Sequence, residues 1–317
     1  MKWYRRNGRK LPWRETRDPY AILVSEFMLQ QTQVAAVIPY YNEWLRRFPD
    51  FAALARAPEN DILHAWQGLG YYARARNLHA VAKTVQHLHG GRFPRNLAAI
   101  RELPGIGRYT ANAVATFAFD QSVPIVETNT ARVLARLFDF RSPIDRAAGR
   151  EELWKRAQTL VPKSSARIYN SALVDLGALI CSPRQPKCTI CPVKTFCRTK
   201  DPETVPIKKA RPPTLQLTEH HAFIARQKTI LLQQASRRWR GMWILPPLQR
   251  RSANQPPVYR SIFPFTNHRV ALNVYALQRK KIANHSQRWI RVDSLDSIPV
   301  PSPHRRAIAA LVSKRPG

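Results

Sequence analysis

Four cysteines fall within 17 consecutive residues, in the pattern Cys181-x6-Cys188-x2-Cys191-x5-Cys197, and the rest of the 317-residue chain contains none. A disulfide scaffold spreads its cysteines, whereas a metal centre collects them, so the cluster predicts a metal loop in a reducing compartment. Four thiolates are the number a cubane iron–sulfur cluster takes. A four-thiolate zinc site usually shows two Cys-x-x-Cys pairs, and only Cys188 and Cys191 are paired in that way. The residues alone leave both metals open. Arg184, Lys187 and Lys194 lie between the ligands and make the loop basic.

The whole chain shares that sign. It carries 52 Lys and Arg against 20 Asp and Glu, a net charge of +32. Such a surface repels itself unless a polyanion is at hand, and nucleic acid is the common one. A ribosome-associated protein, or simple adaptation to a basic proteome, would fit the charge as well. With 44% apolar residues and this length, two domains with ordinary cores are expected. No run of apolar residues is long enough for a membrane span. Met1-Lys2-Trp3-Tyr4-Arg5-Arg6 lacks the apolar stretch of a secretory signal. The expected location is therefore the cytoplasm, beside the nucleoid.

Residues 1–200 read as helical. Apolar positions recur at helical spacing through Ala21–Leu29, Val34–Ile38 and Leu54–Leu88, and prolines at 12, 19, 49, 58, 94 and 104 interrupt them. Residues 201–214 read as a linker of clustered Pro and charge, including Pro206, Arg211, Pro212 and Pro213. Residues 215–317 change character: His221–Ala225, Thr229–Gln233 and Val270–Tyr275 are short, β-rich and bounded by turns. That predicts an α+β second domain.

Leu103-Pro104-Gly105-Ile106-Gly107-Arg108-Tyr109-Thr110-Ala111 is a specific signal inside the helical region. Two glycines around one apolar residue make a tight turn that leaves backbone N–H groups at the start of a helix. Such a helix start holds a phosphate without base preference. The plain alternative is an αα turn with a glycine C-cap.

With hairpin and cysteine loop in hand, further motifs carry a resemblance: Leu11-Pro12-Trp13-Arg14, Ser25-Glu26-Phe27-Met28-Leu29-Gln30-Gln31-Thr32-Gln33-Val34, Gly68-Leu69-Gly70-Tyr71-Tyr72-Ala73-Arg74 and Asp175-Leu176-Gly177-Ala178-Leu179-Ile180-Cys181. The chain resembles the MutY-type adenine DNA glycosylases of the helix-hairpin-helix, endonuclease III superfamily. The resemblance implies an all-α glycosylase domain over 1–200, with the helix-hairpin-helix at about 97–118 and a [4Fe-4S] loop at 181–197. It implies a Nudix-like C-terminal domain after the linker.

By the same resemblance the substrate is double-stranded DNA carrying a lesion or mismatch, bound by a monomer in base excision repair. Adenine opposite 8-oxoguanine is flipped out and its N-glycosidic bond is hydrolysed. Glu26 matches the acid that protonates the departing base, and Phe27, Met28, Leu29 and Trp13 offer it an apolar setting that raises its pKa. Trp13, Arg14 and Leu29 match the base pocket, and Gln31, Leu69 and Tyr71 match the groups that wedge into the stack. Gly105 and Gly107 match the phosphate-holding hairpin. Tyr109 stands where the lyases of the superfamily carry a Schiff-base lysine, which implies a monofunctional enzyme that leaves an abasic site.

The chain departs from the pattern at three places. Glu127-Thr128-Asn129 stands where the family has Asp-Gly-Asn, so the second carboxylate is moved by about 1.5 Å, a misplacement that can cost on the order of 100-fold in rate. Asn129 is retained. Ser171 stands where the family has a Glu or Gln that reads the adenine edge, and Thr266-Asn267 stands in the loop that reads 8-oxoguanine, with Asn267 in the histidine slot. Three such changes also fit a retargeted homologue acting on mismatched thymine or a bulky adduct, or a lesion binder with little turnover. The second domain has no Asp or Glu between His220 and Val292 against 14 Lys and Arg. Metal-assisted Nudix hydrolysis needs several carboxylates, so this domain is expected to clamp DNA.

Overall fold

The computed structural model describes residues 1–210, 212–248, 255–278 and 285–313. The chain divides into two compact units: residues 1–55 with 80–210, and residues 56–79 with 211–317. Arg211 of the expected linker lies outside the described residues.

The first unit is helical, as expected. In chain order come α1 (Lys2–Asn7), α2 (Pro12–Glu15), α3 (Pro19–Leu29), α4 (Val34–Arg47) and α5 (Phe51–Arg56). After α6 (Glu59–Ala65) and α7 (Ala73–Leu88) follow α8 (Leu97–Glu102), α9 (Arg108–Phe119), α10 (Thr128–Leu137), α11 (Ala147–Leu160) and α12 (Ala166–Leu179). Helix α6 belongs to the second unit, and the boundary between the units falls within α7.

Two helices organise the first unit. Helix α3 starts cleanly because Asp18 accepts hydrogen bonds from the Tyr20 and Ala21 amides at 3.0 and 3.2 Å and Pro19 occupies its first turn. Every residue from Tyr20 to Met28 is buried, which is the mark of a helix that runs through a core. Helix α9 buries Thr110 to Thr116 and Ala118, a face of mostly small residues that lets neighbouring backbones approach. A second apolar cluster joins α10, α11 and α12 through Leu134, Leu153, Leu173, Leu176 and Ile180.

The approach of α10 to α12 depends on a glycine. A Cβ at Gly177 would stand 2.9 Å from both Asn129 Cβ and the Asn129 carbonyl oxygen. Arg132 then ties the pair, donating from Nη2 to the Gly177 carbonyl at 2.6 Å and the Asn129 Oδ1 at 2.9 Å, and from Nε to the Cys181 carbonyl at 2.7 Å.

The second unit carries the sheets expected of an α+β body. Strand β1 (Leu215–Phe223) runs parallel to β6 (His268–Ala276), which pairs antiparallel with β5 (Tyr259–Phe265). A second sheet places β3 (Thr229–Gln234) between short β2 (Ala225–Arg226) and β4 (Trp243–Ile244), with β7 (Gln287–Arg291) also pairing β3. Helix α13 (Ser302–Val312) closes the described chain, with Ala307, Ile308 and Leu311 buried. No helix among the described residues is long and apolar enough to cross a membrane.

Replacing Gly177 by Ala forces the α10 start away from α12, and we expect a stability loss of about 1–3 kcal/mol. Urea unfolding of Gly177→Ala measures it; an unchanged midpoint would contradict the close approach.

Candidate active site

A cavity of 520 Å³ opens in the helical unit, and the sequence-predicted residues Trp13, Arg14, Glu26, Leu29, Gln31, Tyr109, Glu127 and Asn129 all line it. Glu26 reaches it from the last turn of α3, where it is 5% exposed. One of its oxygens, Oε2, is buried and has no hydrogen-bond partner among the described residues. Burial is the main force on this carboxyl, and the nearby Glu127 charge adds to it. A hydrogen bond with Tyr109 and the charge of Arg14 work the other way, and the net result is a pKa raised from 4.5 to about 7. Glu26 is therefore poised to hold and release a proton near neutrality.

Tyr109 arrives from the first turn of α9 and shares its hydroxyl with Glu26. Burial and the two carboxylates push its own pKa well up, so it stays a neutral donor.

Glu127 caps α10. Its Oε1 accepts from the Thr130 amide at 2.9 Å, while its own amide donates to Thr130 Oγ1 at 2.8 Å. Two residues on, Asn129 is held by Arg132, so the carboxylate and the amide are presented by one fastened helix start.

Arg14 forms a bidentate pair with Asp175 at 2.6 and 2.8 Å. Arg9 adds bonds to the same carboxylate from its backbone amide and from Nε, both at 2.8 Å. The Asp175 side chain is wholly buried, and burial works to raise its pKa. The hydrogen bonds and charges of the two arginines outweigh burial and leave the pKa lowered. Trp13 stands edge-on to Tyr41 at 5.3 Å.

The structure does not bring every expected residue to this cavity. Ser171 is 4% exposed on α12 and does not line it; Val174, one turn away, does. Gly105 (φ +70°) and Gly107 form the turn before α9. A Cβ at Gly107 would meet nothing within 4 Å, and no side chain caps the helix start. Leu69, Tyr71, Thr266 and Asn267 belong to the second unit. There the Leu69 and Gly70 carbonyls accept from Arg74 Nη2 at 2.9 and 3.1 Å, and Tyr71 is 42% exposed with φ +46°. Thr266 and Asn267 form the exposed two-residue turn between β5 and β6.

The four cysteines line a separate cavity of 240 Å³, and all four are free. Arg136 donates from Nη1 to Cys181 Sγ at 3.3 Å and to the Ser182 carbonyl at 2.7 Å. Among the described residues no three His, Cys, Asp or Glu side chains gather closely enough to hold a single metal ion. Sequence reasoning named neither Asp175 as an anchor nor Thr130, Arg132 or Arg136; a buried acid facing two arginines from distant segments leaves no local signal.

Comparison with known proteins fits this geometry. Residues 24–159 match the model of the HhH-GPD superfamily base excision DNA repair proteins. An adenine DNA glycosylase of Buchnera aphidicola subsp. Schizaphis graminum is 33% identical over 252 residues, which are 78% of this chain and 73% of that protein. The chain belongs to the adenine DNA glycosylase family. Another family member, from Buchnera aphidicola subsp. Baizongia pistaciae, is 43% identical over 200 residues, 63% of this chain, but the match spans 56% of that relative. The human adenine DNA glycosylase is 41% identical over 63% of this chain and 38% of its own length. Among solved structures, a thermostable thymine-DNA glycosylase is 35% identical with a TM-score of 0.58, over 62% of this family member and 91% of that chain. An endonuclease III–DNA covalent intermediate, 24% identical with a TM-score of 0.54, shares the fold over 64% of the chain and 91% of its own.

The raised pKa of Glu26 has a signed consequence. A carboxyl lifted from 4.5 to about 7 binds its proton more tightly folded than unfolded, so its contribution to stability is full below about pH 4.5 and is lost as pH rises through 7. Glu26→Gln, which cannot ionise, should therefore match the wild type at low pH and exceed it above pH 7 by on the order of 2–3 kcal/mol. Denaturant unfolding from pH 4.5 to 8.5 checks this; equal stability at pH 8 would mean that the acid is not raised.

Proposed function

We propose that the chain is a monofunctional DNA glycosylase that excises adenine opposite 8-oxoguanine, by hydrolysing the N-glycosidic bond of a nucleotide flipped into the 520 Å³ cavity. The observation that carries this reading is the pairing of two unlike carboxyls in one cavity: Glu26 raised to about 7 with a free buried oxygen, and Glu127 fixed at a helix start. Glu26 gives its proton to the departing base as the bond to the sugar breaks and the electron pair leaves with the base. The Glu127 carboxylate faces the positive charge left on the sugar, and Asn129 orients the attacking water. As the water oxygen bonds to the sugar its proton passes to the Glu26 carboxylate, which leaves the abasic site and restores the acid. Tyr109 supplies no amine for a Schiff base, so the strand stays intact.

Trp13, Arg14 and Leu29 wall the base pocket, with Arg14 held against reorientation by Asp175. Gln31, on the cavity wall, enters the stack from the helical unit, and Leu69 and Tyr71 are the stack-contacting residues of the second unit. Gly105 and Gly107 present the α9 amides to a phosphate. The exposed Thr266-Asn267 turn reads the oxidised guanine, Thr266 through its hydroxyl, and Ser171 leaves the adenine edge without its usual long polar reader. In domain terms, 1–200 is the glycosylase, 201–214 the linker and 215–317 a Nudix-like DNA clamp without hydrolytic carboxylates.

The cysteine loop 181–197 fits a [4Fe-4S] cluster. Its donors are all sulfur, they surround one 240 Å³ space, and none of them is tied up in a disulfide. Such a cluster would brace the loop against α10 through Arg136.

A second reading, excision of mismatched thymine, draws on the likeness to thymine-DNA glycosylase and on Glu127 and Ser171. A duplex panel separates the two. We expect alkali-labile abasic sites at adenine opposite 8-oxoguanine and an intact strand without alkali. Glu26→Gln should lower the rate by roughly 10²–10⁴ with duplex binding retained. Release of thymine in place of adenine selects the second reading, and binding with no product from any duplex overturns both.

A further inference from the structure

Glutamate is a poor choice for a helix cap that must also present a carboxylate. The favoured cap residues have short side chains that reach the N2 or N3 amide without folding back, and glutamate has one more rotatable bond to hold still. In this chain the longer side chain does fold back, and the residue it meets is Thr130. Thr130 is fully buried. Its amide donates to Glu127 Oε1 at 2.9 Å, its Oγ1 accepts from the Glu127 amide at 2.8 Å, and Oγ1 also lies 3.3 Å from the Glu127 carbonyl. The usual capping box pairs a short hydroxyl cap with a long acid at the third helical position; here the two residue types have exchanged places.

We propose that Thr130 is the positioning residue for the carboxylate at 127, its hydroxyl locking the backbone of the cap so that a glutamate holds one place in the cavity. The inference rests on the excision reading given above. Thr130 does not line the cavity, whereas Glu127, Thr128 and Asn129 do, so any effect of Thr130 on chemistry passes through its neighbour. The lock is reciprocal: one bond holds the side chain, the other holds the backbone that carries it. Removing the hydroxyl leaves the Thr130 amide available to Oε1 but takes away the acceptor for the Glu127 amide. The cap then regains backbone freedom, and the carboxylate samples positions on the scale at which about 1 Å costs on the order of 100-fold.

The coupling extends to Glu26. The groups that bear on Glu26 besides burial are Tyr109, Glu127 and Arg14, and of these Glu127 is the one the lock holds. A wandering Glu127 charge presses less on Glu26, so the protonated fraction of the acid should fall at lower pH.

The test compares Thr130→Val, an isostere without the hydroxyl, with Thr130→Ser, which keeps it. Single-turnover excision is followed from pH 5 to 9 alongside duplex affinity. Val should slow excision ten- to 100-fold and move the basic limb of the pH profile to lower pH, with affinity changed less than threefold. Ser should stay within threefold of the wild type with an unmoved profile. Wild-type rates in the Val variant, or an equal loss in both variants, would overturn the proposal. Amide hydrogen exchange over residues 125–131 supplies an arm that needs no activity: Val should speed exchange of the Glu127 amide and Ser should not. If the wild type itself releases no base, the excision reading fails, and unaltered exchange in the Val variant still overturns the lock.

Discussion

A carboxyl group sealed into an apolar helix is the constraint around which the rest of this structure is arranged. Taking Glu26 out of water on α3 favours its neutral form, and leaving Oε2 without a partner keeps the proton from being shared permanently with the protein. Such a group is costly to bury, and a fold tolerates it where the chemistry needs it. The surrounding pieces set how far the shift goes. Tyr109 and Arg14 restrain it and Glu127 extends it, so the protein arrives at an acid that is half charged near neutrality.

The second carboxylate is organised by different means. Glu127 is set by backbone geometry: a reciprocal cap with Thr130, a glycine at 177 that admits the start of α10, and the Arg132 tie to the Gly177 and Cys181 carbonyls. Arg136 continues from the same helix into the cysteine loop. One helix, α10, therefore touches both the cavity and the cysteines. The loop holds the far end of the helix whose near end presents a charge.

Much of this was legible in the residues because the signals are local. The glycine turn before α9 is followed by a helix that starts at Arg108, and the β-rich segments after residue 214 became β1, β3 and β6. Eight of the residues picked from motifs line one cavity. What stayed hidden depends on contacts between distant segments. Asp175 meets Arg9 and Arg14 from more than 160 positions away, and no pattern along the chain announces that. Thr130 was hidden for another reason: three residues from an acid it looks like an ordinary helical threonine, and only the fold shows the exchanged cap. Ser171 was assigned to the pocket by position, yet Val174 is the α12 side chain that lines the cavity.

The central claim is that Glu26 is an acid held near neutrality by burial and by the charge at 127. Isotope-edited infrared titration of its carboxyl band, in the wild type and in Glu127→Gln, reads this without reference to any substrate. The account predicts a midpoint of about 7 in the wild type and a lower one in the variant. A midpoint near that of a solvated glutamate, or one indifferent to the charge at 127, would contradict it.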